Sequence, residues 1–216
     1  ALQRLRDMAD GTLSAARRAT ALAPGLAVNW ATLGNAYLDI ASFTQGAASA
    51  ASEAFEKAST LSPSDPSLLV NLGVSRALAA QGVEGEEGTR LSGSAEEALQ
   101  QASKLRPAFP FAHLELARMY GQKKEVDKAF AAYQNASALL PQDPALHYEI
   151  GLFLFGNNKK EEAVSELDAA IQIAPNFSNA RWYLAQIYEE QKEYGKALEQ
   201  VQKVTELNPD NQQAKE

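Results

Sequence analysis

Six prolines close six similar stretches of this 216-residue chain, and the last three, Pro141, Pro175 and Pro209, stand 34 residues apart. The approaches to them are alike: ASALLP at 136–141, AAIQIAP at 169–175 and KVTELNP at 203–209. Earlier copies are RATALAP ending at Pro24, KASTLSP ending at Pro63 and ASKLRP ending at Pro107. A proline cannot continue a helical hydrogen-bond ladder, so each marks the end of a helix. Self-similarity at this period marks a small supersecondary unit that buries its apolar face only by stacking on its neighbours. A stack of helical hairpins is therefore expected, and recognition by an extended surface follows from it.

Aligned on those prolines, the units are 27–65, 66–109, 110–143, 144–177 and 178–211. Residues 1–26 are expected to be the tail of a partial unit, and 212–216 the start of a capping helix cut short. Interruption of the repeat at both ends is the pattern of a segment excised from a longer array. Unit one is 39 residues long and unit two 44, with the extra residues between first and second helix, at 42–49 and 81–94. The second insertion, QGVEGEEGTRLSGS, holds four glycines and three glutamates and predicts a mobile loop. Asp65-Pro66 and Asp143-Pro144 place a capping carboxylate before a proline at the first helical position.

Unit one carries Trp30, Leu33, Gly34 and Tyr37, then Ala51, Phe55, Ala58 and Pro63. Unit two has Leu72, Gly73, Ala95, Leu99, Ala102 and Pro107, with Arg76 where the aromatic is expected. Unit three has Leu116, Ala117, Tyr120, Ala129, Tyr133, Ala136 and Pro141; unit four has Ile150, Gly151, Leu154, Ala163, Leu167, Ala170 and Pro175. Unit five follows with Leu184, Ala185, Tyr188, Ala197, Val201, Val204 and Pro209. This register resembles the tetratricopeptide repeat (TPR), W-x2-L-G-x2-Y followed by Ala, Phe, Ala and Pro, over residues 27–211. The resemblance implies an all-α fold, a right-handed α-solenoid of antiparallel helix hairpins. The small residues let paired helices approach, and the large ones fill the seam between hairpins.

Charge and composition remove other function classes. The formal net charge is −7, with 27 acidic and 20 basic residues spread along the chain, so no basic stripe is expected to hold nucleic acid. There is no cysteine, which removes disulfides, zinc-thiolate sites and thiol nucleophiles. No apolar run approaches the length that spans a bilayer. The two histidines, His113 and His147, occupy the position that Trp30 holds in unit one, a packing position between the helices of a hairpin. A zinc site needs three or four ligands, and too few remain to supply them. Phosphate-cradling and nucleophile-elbow motifs are missing. The chain is thus expected to be non-enzymatic, with no cofactor or metal.

By resemblance, first helices line a concave side through four projecting positions of each unit. Read off the sequence, the expected groove is Asn35 and Leu38 in unit one, and Val70, Asn71 and Val74 in unit two. It continues through Phe111, Leu114 and Arg118, then Tyr148, Leu152 and Phe155, and ends at Trp182, Gln186 and Glu189. Such an apolar, aromatic surface suits a partner helix or extended peptide. Some family members clamp a C-terminal carboxylate; Asn35 and Asn71 match the clamp asparagines, but Ala31, Phe111 and Glu115 occupy its cationic positions, so a peptide-backbone contact is expected rather than that clamp. The expected function is a protein-interaction scaffold. The alternative is an accessory domain of a larger bacterial membrane protein of surface-polysaccharide assembly, which the opening unit with its glycine-alanine insertion resembles. Self-association through exposed terminal repeats is a further expectation, and the compartment is left open between cytoplasmic and extracytoplasmic.

Overall fold

Asp65 and Asp143 each precede a proline, and in the computed structural model both act as helix caps. The structure describes the backbone of residues 2–208 and the side chains of residues 11–208. Asp65 Oδ1 accepts the Ser67 N–H at 2.9 Å. Asp143 Oδ1 accepts those of Ala145 at 2.9 Å and Leu146 at 3.2 Å. Pro66 and Pro144 sit in the first turn, where the missing N–H has no intrahelical partner to lose.

The described residues form α-helices and no strands. In order these are α1 (Leu2–Leu22), α2 (Ala27–Asp39), α3 (Ala47–Leu61), α4 (Pro66–Ala80), α5 (Gly85–Leu105) and α6 (Pro110–Gln122), then α7 (Val126–Leu139), α8 (Pro144–Gly156), α9 (Lys160–Ile173), α10 (Ser178–Glu190) and α11 (Tyr194–Leu207). The expectations for Pro209 and for a capping helix at 212–216 lie outside the described residues. Two compact units divide the chain, Ala1–Lys123 with α1 to α6 and Lys124–Glu216 with α7 to α11. The third sequence repeat contributes α6 to one and α7 to the other.

Within each unit a small residue on a first helix meets a large one on the following helix. In the first unit a Cβ added at Gly34 would lie 2.7 Å from the Phe55 ring, and one at Gly73 would lie 2.6 Å from Leu99 Cγ. In the second, a Cβ at Gly151 would lie 2.7 Å from Leu167 Cγ. Phe55, Leu99 and Leu167 are fully buried, as are Ala51, Ala95 and Ala163 one turn earlier. Phe55, Leu99 and Leu167 each contribute about 1.5–3 kcal/mol by leaving water. The glycines are therefore spaces that the large residues occupy.

A second repeated device joins the turn to the next hairpin. Trp30 Nε1 donates to the Pro24 carbonyl at 2.7 Å, and Arg181 donates to the Pro175 carbonyl through Nε at 3.2 Å and a terminal nitrogen at 3.0 Å. His113 Nε2 lies 2.8 Å from the Pro107 oxygen, and His147 Nε2 3.2 Å from that of Pro141. A carbonyl only accepts, so Nε2 of His113 carries the proton. The packing position thus sets a side-chain nitrogen against the carbonyl of the closing proline six residues earlier. In the second sequence repeat Leu69 fills it and is simply buried.

The segment 81–94 corrects the sequence expectation. It is not a loop: α5 begins at Gly85 and runs 21 residues. Gly82 and Gly85 adopt φ of 77° and 76°, and a Cβ at Gly88 would stand 2.0 Å from the Val83 carbonyl. Those three glycines serve a tight left-handed turn and a close backbone approach, not mobility. Elsewhere the same reversal is made by Lys124, Asn158 and Lys192, at φ of 60°, 60° and 62°.

Two outcomes follow. Gly151→Val should lower stability by about 1–3 kcal/mol through overpacking against Leu167; thermal melts should show the double variant with Leu167→Ala less destabilised than the sum of the singles. Trp30→Phe removes one hydrogen bond and should cost about 1 kcal/mol with the helical circular dichroism intact.

Candidate functional site

Helical geometry decides which side chains of a first helix remain available. At 3.6 residues per turn, Leu146, Ile150, Gly151 and Leu154 of α8 fall on one side and are buried. Tyr148, Leu152 and Phe155, spaced i, i+4 and i+7, fall on the opposite side and are half-buried. On α10 the same division sets buried Ala180, Leu184 and Ile187 against Trp182 and Gln186, half-buried, and Glu189, exposed. The two helices are neighbours: the Tyr148 ring centroid lies 4.9 Å from that of Phe177 and 5.9 Å from that of Tyr183. Burial, and secondarily the adjacent Tyr183, pushes the Tyr148 phenol above its ordinary pKa.

Trp182, Gln186 and Glu189 make no side-chain hydrogen bond or ion pair among the described residues. Several other charges near the C-terminal ends of α8 and α10 are engaged. Lys160 Nζ pairs with Glu190 at 2.7 Å, Lys196 pairs with Glu193, and Lys159 Nζ lies 5.0 Å from the centre of the Phe130 ring. On the far side of the hairpin, Tyr133 donates to Glu149 at 2.9 Å, and Glu166 Oε2 lies 2.7 Å from His147 Nδ1. Those contacts are between helices of the unit and leave the Tyr148–Trp182 side untouched.

In the first unit Asn35 of α2 is exposed and Asn71 of α4 half-exposed, and neither amide has a partner among the described residues. Leu38 packs against the cluster of Phe55 and Leu72. Val70 departs from the sequence expectation: only 7% of it is exposed, so it is a packing residue and not a lining one. Val74 and Arg118 border a recess of about 100 Å³ between α4 and α6, together with Ala77, Gln81, Glu115 and Gln122. Arg118 is held by Glu115 at 2.7 Å. Leu114 is half-buried, while Phe111 is 53% exposed and meets Phe109 edge-on at 5.6 Å.

Sequence reasoning missed one feature of this unit. A wide recess of about 600 Å³ is floored by Trp30, Leu33 and Tyr37 and walled by Ala50, Glu53 and Lys57 of α3. Trp30 and Tyr37 are apolar at helical spacing, and nothing local distinguishes a floor from a filled seam. Among the described residues no three His, Asp or Glu side chains converge to hold a metal ion. No described helix is long and apolar enough to cross a membrane.

A helix-hairpin repeat array with one free side on each first helix is thus the class of protein. Two family models match its sequence, "Tetratricopeptide repeat" over residues 154–216 and "YpiA-like, C-terminal tetratricopeptide repeats" over 110–176. Among solved structures, the MamA crystal structure superposes with a TM-score of 0.64 at 23% identity, over 80% of this chain and 94% of that one. YrrB, described as a TPR protein with an unusual peptide-binding site, gives 0.63 at 18% identity, over 93% and 95%. The peroxisomal targeting signal receptor of Eremothecium gossypii is 31% identical over 90 residues, 42% of this chain. This chain's match spans only 16% of that receptor's length. Residues 110–216 of the chain thus match tetratricopeptide repeats, and the chain has the all-α solenoid fold of the structures it resembles.

Proposed function

We propose that the chain is a protein-interaction scaffold whose first-helix faces hold a peptide or a partner helix. The observation that carries this reading is the α8/α10 face. Tyr148, Leu152, Phe155 and Trp182 stand there half-buried beside the unpartnered donors of Trp182 and Gln186. Apolar rings give a partner side chain a desolvated seat, and unpaired polar groups give its backbone hydrogen bonds. The amides of Asn35 and Asn71 extend the same chemistry to the first unit, each offering donors and an acceptor to a backbone. The resemblance to a peptide-binding TPR protein and to a targeting-signal receptor supports the reading.

Tyr148 stacks on Phe177 and Tyr183, so its truncation would mix packing with binding. Leu152→Ser with Trp182→Ala is the cleaner variant. It should weaken capture of a peptide selected on the parent chain at least about tenfold, as loss of central anchors does, while the melting curve moves little. Equal capture by both proteins would count against this face.

Self-association is a second reading, favoured by α11. Phe55, Leu99, Tyr133 and Leu167 are all under 5% exposed, but Val201 at the same repeat position is half-buried, and Tyr194 and Leu198 beside it are 64% and 58% exposed. Sedimentation of Leu198→Glu beside the parent chain tests it: the parent should show a concentration-dependent larger species that the variant lacks, and identical monomers would end the idea.

A further inference from the structure

The α8/α10 face also carries information about the charge of its partner, an inference that rests on the peptide-binding reading above. The two helices are consecutive first helices and present equivalent rungs: Tyr148 with Trp182, Leu152 with Gln186, and Phe155 with Glu189. The first rung is aromatic on both helices, and Tyr148 meets Tyr183, the residue after Trp182. The middle rung pairs an aliphatic side chain with an amide. The last rung pairs a half-buried aromatic ring on α8 with an exposed carboxylate on α10.

That carboxylate makes no ion pair among the described residues, and neither does the Lys192 ammonium that follows it. Around it, Glu190 is taken by Lys160 and Glu193 by Lys196, while Lys159 is turned onto Phe130. Lys192, three residues after Glu189, makes no ion pair with it among the described residues. Neighbouring helix axes lie roughly 8–10 Å apart. A cation reaches a ring centre at about 6 Å and a carboxylate at about 4 Å. An ammonium or guanidinium held in the last rung would meet both distances, to the Phe155 ring and to the Glu189 carboxylate.

We propose that this face selects a segment in which apolar side chains, seated on Tyr148, Trp182 and Leu152, lead to a lysine or arginine held between Phe155 and Glu189. Polarity follows from the ladder: the basic residue lies toward the C-terminal ends of α8 and α10, and the apolar anchors toward their N-terminal ends. An acidic residue at that place would face Glu189 and be rejected.

The chain has two tryptophans, so Trp30→Phe leaves Trp182 as a fluorescent reporter on the proposed face. The probe is a library of blocked ten-residue peptides, fixed as Leu-x-x-Leu and randomised elsewhere, selected on this single-tryptophan chain. Recovered peptides are then titrated as Lys, Gln and Glu versions at the most enriched position. The proposal expects enrichment of Lys or Arg, a change in Trp182 emission on binding, and a roughly five- to tenfold preference for the Lys over the Glu version. The preference should shrink with added salt, vanish in Glu189→Gln and reverse in Glu189→Lys. Because Glu189 is exposed and unpaired, these variants should melt like the parent. Peptides that move Trp182 emission but bind Glu189→Lys as well as the parent would overturn the basic partner while leaving the groove in place. A library yielding no peptide that moves Trp182 emission would overturn both.

Discussion

Steric exclusion along the seams of the hairpins is the constraint on which the rest depends. Gly34 under Phe55, Gly73 under Leu99 and Gly151 under Leu167 each leave less than 3 Å for a missing Cβ. At that separation the large side chain fills the volume between two helices and fixes the register of one against the other. Once the register is fixed, the division of each first helix into a seam side and a free side is no longer adjustable. Rotating α8 by a single residue, about 100°, would carry Leu152 toward the seam and Gly151 out of it. Which side chains reach the free side is thus set by packing on the other.

How much of this the sequence discloses depends on whether the cause is local. The seam is legible because small and large residues recur at one register, and the caps are legible because Asp before Pro has a single-turn explanation. The side-chain nitrogens set against the proline carbonyls are not. Trp30, His113, His147 and Arg181 share no side-chain chemistry beyond a nitrogen, and the carbonyl six residues earlier comes within reach only when the turn has folded. The segment 81–94 shows the opposite failure, in which a composition signal has two physical meanings. Glycine relaxes the chain where nothing surrounds it, but Gly82 and Gly85 supply left-handed φ and Gly88 lies against a carbonyl, so the same residues tighten a turn. Lys124, Asn158 and Lys192 adopt left-handed φ with no glycine to announce it.

The candidate site is legible in part for the same reason. Helical spacing separates Tyr148, Leu152 and Phe155 from the buried side of α8, and periodicity alone provides that. Periodicity does not reveal what the neighbours cover. Val70 has the spacing of a projecting residue and is nevertheless buried, and Leu38 is drawn into the Phe55 cluster. Tyr148 projects and is also stacked. Those outcomes depend on side chains from other helices, which one helix's pattern cannot contain.

The two units apply one scaffold to different chemistry. Both carry a first helix with an apolar seam side, yet the free side of the first unit bears the amides of Asn35 and Asn71 with Arg118 already paired to Glu115. That of the second bears rings and an unpaired carboxylate. An amide binds a backbone regardless of the side chains it carries, whereas a ring and a charge discriminate among side chains. On the proposed reading, the α2/α4 face would supply affinity without selectivity, and the α8/α10 face selectivity. Because the seam glycines fix register in both units without using any free-side residue, substitutions on the free sides can change what each face presents without disturbing the fold beneath it.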